Sequence, residues 1–144
     1  MAQISQILKD INRFGRMYRE DKLAPLGLNS RYGLYLREIG AAPGISQEQL
    51  ASRIGINKSN VARQVAALEE EGYIRRAACG KDKRVMRLHL TQKGEDALPG
   101  IHRVMDGWEQ LLVESFTESE QQILEILLLR LRENANAAIE EVEE

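Results

Sequence analysis

The sequence predicts a mainly α-helical chain with one small β-hairpin, an α+β fold. Through most of its 144 residues, apolar side chains recur every three or four positions, which is the period of an amphipathic helix. From Met86 to Leu90 apolar and polar residues alternate instead, which is typical of a strand with one buried face. The length and an apolar content of 43% indicate one globular domain, residues 1–144, with a modest core.

Two helices are predicted first. The apolar spacing from residue 4 to residue 18 indicates an amphipathic helix that ends near Lys22, before a proline and a glycine interrupt it. The next helix begins after Asn29 or Ser30, either of which could cap it, and ends before Gly44. Its expected buried face carries Tyr32, Tyr35, Leu36 and Ile39.

The middle of the sequence predicts a helix-turn-helix. Ser46 and Gln49 fit a capping box at the start of a short helix that buries Leu50, Ala51 and Ile54. Gly55 can adopt a left-handed turn, and a second helix follows from near Asn57 to Gly72. Polar and basic residues lie near the start of this second helix, and its inner face carries Val61, Val65 and Leu68.

A basic hairpin follows directly. The stretch RRAACGKDKRVMRLHL, residues 75–90, has six lysines and arginines and a single acid. We expect residues 73–77 to pair with residues 86–90 around a turn at Gly80. An ordinary solvated hairpin is the alternative, but its place directly after a helix-turn-helix favours a wing. Residues 45–94 carry a net charge of +5 and residues 95–144 one of −10, so the middle could attract a polyanion although the whole chain is at −2.

The C-terminal third predicts a helix that needs a partner surface. Thr117 and Glu120 fit a second capping box, and the helix after it is too apolar to stay exposed. Together with the first helix and the helix before Thr117, this last helix suggests a homodimer interface built from both termini. The alternative is an internal helical core without a dimer. The apolar residues of the last helix are Ile123, Leu124, Ile126, Leu127, Leu128, Leu129 and Leu131.

Several function classes find no support. One cysteine, Cys79, excludes an internal disulfide framework, and two separated histidines provide no zinc pattern, so we expect no metal and no cofactor. Nearby bases could lower the pKa of the Cys79 thiol and make it reactive, so a redox-sensing role is the alternative to an incidental cysteine. We expect neither a signal peptide nor a membrane span, which favours the cytoplasm. No nucleophile elbow, phosphate loop or carboxylate pair indicates an enzyme. The glycosylation sequence at Asn57 is interpreted as a helix start.

Two motifs resemble the MarR family of winged helix-turn-helix regulators. They are SQEQLASRIGINKSNVARQVAALEEEGYI and DKRVMRLHLTQKGED, in which the family's Asp-x-Arg matches Asp82 and Arg84, and its Leu-Thr-x-x-Gly matches Leu90, Thr91 and Gly94. The resemblance covers essentially the whole chain. It implies a winged helix-turn-helix body at 29–94, with N- and C-terminal dimerisation helices at 1–28 and 95–144.

The resemblance also implies a DNA-binding site. The recognition helix would enter the major groove, where Arg can read guanine and Asn or Gln can read adenine, while Lys58 binds phosphate. Arg84 of the wing would enter the minor groove, with Asp82 either orienting it or only forming the turn. Arg75, Arg76 and Lys81 would contact phosphate or simply be solvated. The predicted DNA-binding residues are Lys58, Ser59, Asn60, Arg63, Gln64, Arg75, Lys81, Asp82, Lys83 and Arg84.

The function that follows is a bacterial-type regulator of transcription. A homodimer would bind a pseudo-palindromic operator in double-stranded DNA, as a repressor that a small-molecule effector could release. The residues that could line an effector pocket, or belong to the core instead, are Phe14, Met17, Tyr18, Tyr32, Tyr35 and Trp108. An interaction module that uses its winged helix for protein contacts is the alternative.

Overall fold

The computed structural model describes residues 3–79 and 82–143, and for residue 79 and residues 82–84 it describes the backbone alone. The elements in these ranges confirm the predicted fold class, mainly α with a small β-sheet. In chain order they are α1 (Ile4–Leu23), a short 3-10 helix (Ala24–Leu26), α2 (Ser30–Ala41), β1 (Ile45–Ser46), α3 (Gln47–Ile54), α4 (Lys58–Glu70), β2 (Ile74–Cys79), β3 (Asp82–Leu90), α5 (Gln92–Leu112) and α6 (Glu118–Glu143).

Side-chain caps determine where several helices begin. Of the two candidates for α2, Asn29 is the cap, because its Oδ1 accepts a hydrogen bond from the Tyr32 amide at 2.8 Å. The capping box of Ser46 and Gln49 is confirmed in both directions. Before α6, Thr117 Oγ1 accepts from the Glu120 amide, and the Glu120 carboxylate accepts from the Thr117 amide.

The sheet has three antiparallel strands in the order β1-β3-β2. The sequence predicted the β2–β3 hairpin but not β1, which adds Ile45 and Ser46 to the other edge of β3. The hairpin pairing also begins one residue later than predicted, at Ile74, and extends to residue 79 with an irregularity after Ala78. A two-residue strand has no periodicity of its own, and only its pairing with β3 reveals it.

The apolar core lies among α2, α3, α4, the sheet and parts of α1 and α5. Most residues that the helix periodicity assigned to it are buried. Ile54 is only partly buried, and so is Tyr32, whose hydroxyl donates to the Glu71 carboxylate at 3.2 Å and therefore lies toward solvent. The fully buried large side chains are Leu23, Tyr35, Leu36, Ile39, Leu50, Val61, Val65, Leu68, Ile74, Leu88 and Ile101.

The chain divides after Trp108 into two compact units. The first unit contains the whole of this core. The second contains the last residues of α5 and all of α6. The sequence predicted a different division, at residues 28 and 94, which groups the segments by their expected roles. That division stays a prediction. Among the described helices, none is both long and apolar enough to span a membrane.

Candidate nucleic-acid interface

The turn between α3 and α4 sets the angle at which α4 is presented. Gly55 has φ +76°, in the left-handed region where a side chain would be strained. Its amide and that of Ile56 both donate to the Ala51 carbonyl, at 2.9 and 3.2 Å, which satisfies the end of α3. The helix-turn-helix therefore has the tight glycine turn that its sequence predicts.

The first residues of α4 are held by the Asn57 side chain. Its Oδ1 accepts from the Asn60 amide at 2.9 Å and from the Ser59 hydroxyl at 2.8 Å. Asn57 is thus a helix cap, as interpreted from the sequence. The Ser59 hydroxyl hydrogen is committed to this cap, which leaves the hydroxyl oxygen as an acceptor for a ligand.

One face of α4 is buried and the opposite face is open. Val61 and Val65 are inaccessible to solvent, whereas Ser59 and Arg63 are exposed. Because residues four apart share a helix face, Ser59 and Arg63 form one open, polar surface. Arg63 Nη2 donates a hydrogen bond to Asn60 Oδ1, so two of the predicted base-reading side chains already bind each other. Gln64 is half-buried beside this surface.

Lys58 is paired with an acid from the neighbouring helix. Its Nζ lies 2.9 Å from the Glu48 carboxylate, and both side chains are 75% exposed. The hydrogen bond from Lys58 lowers the pKa of Glu48. A predicted phosphate-binding cation is therefore partly neutralised where it stands. The same residues line a groove between α3 and β3, with Ser46, Gln47, Val85 and Met86.

Arg75 and Arg87 share one face of the wing but have different surroundings. Arg75 is exposed and lies opposite His89 in the β2–β3 register. Arg87 of β3 points back to α3, with its Nη1 at 3.4 Å from the Gly44 carbonyl and 3.5 Å from Gln49 Oε1. Lys81 lies outside the described residues, as do the side chains of Asp82, Lys83 and Arg84. The predicted contacts at the tip therefore stay predictions.

Arg76 forms a network that sequence reasoning missed. Its Nε and Nη2 donate to Glu69 Oε1 of α4 at 3.2 and 3.0 Å, and its backbone amide donates to Glu69 Oε2 at 3.1 Å. Its Nη1 reaches Gln47 Oε1, at the start of α3, at 3.4 Å. Strand alternation could have found it, because Arg76 is two residues from buried Ile74 and so shares its inward face.

The base of the wing is closed by Thr91. Its hydroxyl donates to the Gly72 carbonyl at 2.5 Å and accepts from the Gly94 amide at 3.2 Å. The Thr91 amide also donates to the Tyr73 carbonyl at 3.0 Å. One residue thereby joins the end of β3, the segment before β2 and the first turn of α5.

The predicted effector-pocket residues do not form one group. The Tyr18 and Trp108 rings pack against each other at a tilt of 35° with centroids 5.3 Å apart, while Tyr35 is 1% exposed inside the core. Tyr32 lies instead against Tyr73, at 6.4 Å between centroids. Phe14 and Met17 are on the open side of α1, 49% and 61% exposed. Among the described residues, no cluster of His, Cys, Asp or Glu could hold a metal ion.

A helix-turn-helix with an exposed polar face on its second helix, followed by a β-hairpin, defines the winged-helix class of nucleic-acid-binding modules. Comparison with known proteins specifies the family. The MarR family model matches residues 26–85. The transcriptional regulator BilQ of Clostridium symbiosum is 31% identical over 121 residues, which are 84% of each chain.

Solved structures agree. The crystal structure of the transcriptional regulator SlyA has a TM-score of 0.91 and 29% identity, covering 98% of this chain and 99% of its own. A Staphylococcus aureus MepR–DNA complex, at 20% identity, has the same fold with a TM-score of 0.88, covering 94% of this chain and 99% of its own. The chain belongs to the MarR family of transcriptional regulators.

Proposed function

We propose that this regulator binds double-stranded operator DNA with α4 in the major groove and the β2–β3 wing beside it. The observation that carries the proposal is the open face of α4, where Ser59 and Arg63 are exposed opposite Val61 and Val65. Hydroxyl, amide and guanidinium groups on such a face can bind base edges and phosphates. The structurally similar MepR was solved in complex with DNA.

We further propose that the active form is a homodimer that binds a pseudo-palindrome. Apolar residues on α1, such as Ile4 at 54% and Ile7 at 48%, are exposed. On α6, Ile123, Ile126 and Leu127 are between 51% and 58% exposed. Two apolar helix surfaces of this kind require cover, and a second copy would supply it and set two α4 helices about one DNA turn apart.

Repression, and its release by a small molecule, complete the proposal. The contact between the Tyr18 and Trp108 rings is the part of the predicted effector site that the fold brings together. We leave Tyr35 out of that site, because it is fully packed in the core. Regulation of transcription, and not catalysis, is the role we propose. We propose the cytoplasm as its location, because a regulator of this kind needs access to the chromosome.

Selection from a random DNA pool tests the proposal. The purified chain should enrich one pseudo-palindromic sequence. Binding to that duplex should weaken steeply as the salt concentration rises, because lysines and arginines that bind phosphates release counterions from the DNA. A scrambled duplex of the same composition is the control. A folded dimer that enriches no sequence at low salt would instead support a protein-interaction module.

A further inference from the structure

Arg76 lies on the side of the wing that faces the helix-turn-helix. It shares this side of β2 with Ile74, which is 2% exposed, while Arg75 between them points outward and is exposed. The Arg76 side chain is 31% exposed, so most of its surface is covered by the protein. Its guanidinium is therefore directed toward α4 and α3.

The bonds of Arg76 join three elements. Glu69 of α4 accepts three hydrogen bonds from it, two of them from the guanidinium, and Gln47 at the start of α3 accepts a fourth. Charge-assisted bonds from a planar guanidinium restrict orientation more than a single lysine contact does. The hydrogen bonds from Arg76 also lower the pKa of Glu69, so the carboxylate stays ionised to a lower pH than an ordinary glutamate does.

If Glu69 acted only through its negative charge, it should weaken DNA binding. An acid on a surface that approaches a polyanion should weaken binding, so its removal should tighten binding. A carboxylate that positions the wing should instead strengthen binding, and its removal should weaken it. The sign of the change in affinity therefore distinguishes the two roles.

We propose that Glu69 and Arg76 are a positioning pair that fixes the wing relative to the recognition helix α4, and that Glu69 thereby raises the affinity for DNA. The inference rests on the proposed DNA-binding function. Neither residue needs to touch DNA in this role, because both act through the orientation of β2 and β3.

The first experiment compares Glu69→Ala with Glu70→Ala. Both variants remove one carboxylate from neighbouring positions of α4, but Glu70 is exposed and has no ion-pair partner among the described residues. The probe is the duplex that the wild-type chain selects from the random pool. Glu69→Ala should weaken binding about three- to tenfold and reduce the salt slope by about 1, as a phosphate contact of the wing is lost. Glu70→Ala should bind as wild type or slightly tighter.

Arg76→Lys provides a second test that does not depend on Glu69→Ala folding. It keeps the charge and removes the pair of guanidinium hydrogen bonds to Glu69, so it should lose affinity for DNA as Glu69→Ala does. The double variant should be no weaker than the weaker single variant, because both changes break one network. Arg76→Lys with wild-type affinity would make Arg76 a phosphate contact or a solvated base and overturn the proposal.

Amide hydrogen exchange of the free protein separates this inference from the function on which it rests. Glu69→Ala should speed exchange in β2 and β3 and leave the middle of α4 unchanged. Unchanged exchange in the wing overturns the pairing role, even if the wild-type chain selects no DNA. Faster exchange with undiminished DNA affinity overturns the link between wing orientation and binding.

Discussion

Gly94, in the first turn of α5, lies directly against the backbone carbonyl of Tyr73. A Cβ at Gly94 would overlap the Tyr73 carbonyl oxygen and come within 3.2 Å of the Leu90 side chain. That same oxygen accepts the Thr91 amide, so it cannot move without breaking a bond. The close approach explains why a glycine follows Thr91 by three residues in the LTQKG motif.

Gly94→Ala should therefore destabilise the fold by about 1–3 kcal/mol, because overpacking against a fixed backbone atom exceeds the gain in helix propensity. Gly107→Ala is the matched control, since the nearest atom to its Cβ would be the tip of Tyr18, at 3.3 Å. Chemical denaturation should show a loss for the first variant and little change for the second. Equal stability of both variants would contradict the close approach.

Replacing Asn60 or Arg63 by Ala should change which bases are preferred, whereas Lys58→Ala should weaken all sequences alike and lower the salt slope by about 1. Because Arg63 donates to Asn60, the first two changes should not be additive. Repeating the DNA selection with each variant measures the preference. An unchanged selected sequence for both variants would remove the open face of α4 from base reading.

Glu48→Gln should tighten DNA binding about two- to threefold and steepen its salt dependence, because it leaves Lys58 without its acidic partner. Thermal stability should hardly change, since an ion pair between exposed side chains contributes little to it. The gain should shrink in a Lys58→Ala background. Weaker binding by Glu48→Gln would show that Glu48 positions Lys58 instead of competing for it.

Leu127→Glu on α6 should weaken dimerisation and, with it, DNA binding. Leu127 is 51% exposed in one chain and belongs to an apolar surface, where a charge would oppose contact with a second copy. Asn136→Glu adds the same charge at an exposed polar position on the opposite side of the same helix and should leave the dimer intact. Sedimentation at several concentrations measures the equilibrium. A Leu127→Glu dimer as tight as the Asn136→Glu dimer would exclude this face from the interface.

Glu69 should also give stability a dependence on pH. Its pKa is lower in the folded chain than its ordinary value, so its contribution is present above the unfolded pKa and is lost as pH falls through the folded one. Glu69→Gln should thus be less stable than wild type at pH 7, by below about 1 kcal/mol for a partly exposed pair, and the difference should close below about pH 4. Melting temperatures of both proteins from pH 7 to pH 3 test this. A difference in melting temperature that does not narrow as pH falls would contradict this prediction.

Local signals in the sequence predicted much of the fold. Ser46, Asn57 and Thr117 cap their helices through contacts within three residues, and the turn at Gly55 needs only the conformation of one glycine. Strand β1 was missed because two residues become a strand only by pairing with β3, more than forty positions away.

The site was predicted less completely, since its contacts join distant segments. Periodicity placed Arg63 on the open face of α4, but the partner of Lys58 comes from α3. The count of bases in the hairpin treated Arg76 as a surface charge, although it bonds to Glu69 and Gln47. Charge counts carry no information on which face of a strand a base occupies.

Ser46 belongs to two elements at once. It pairs with Arg87 at the edge of the sheet, and its hydroxyl begins α3. No linker therefore separates β1 from α3, and this direct junction restricts the spacing between the sheet and the helix-turn-helix. On the proposed function, each protomer measures a half-site of fixed length, and only the distance between half-sites can be adjusted to a particular operator.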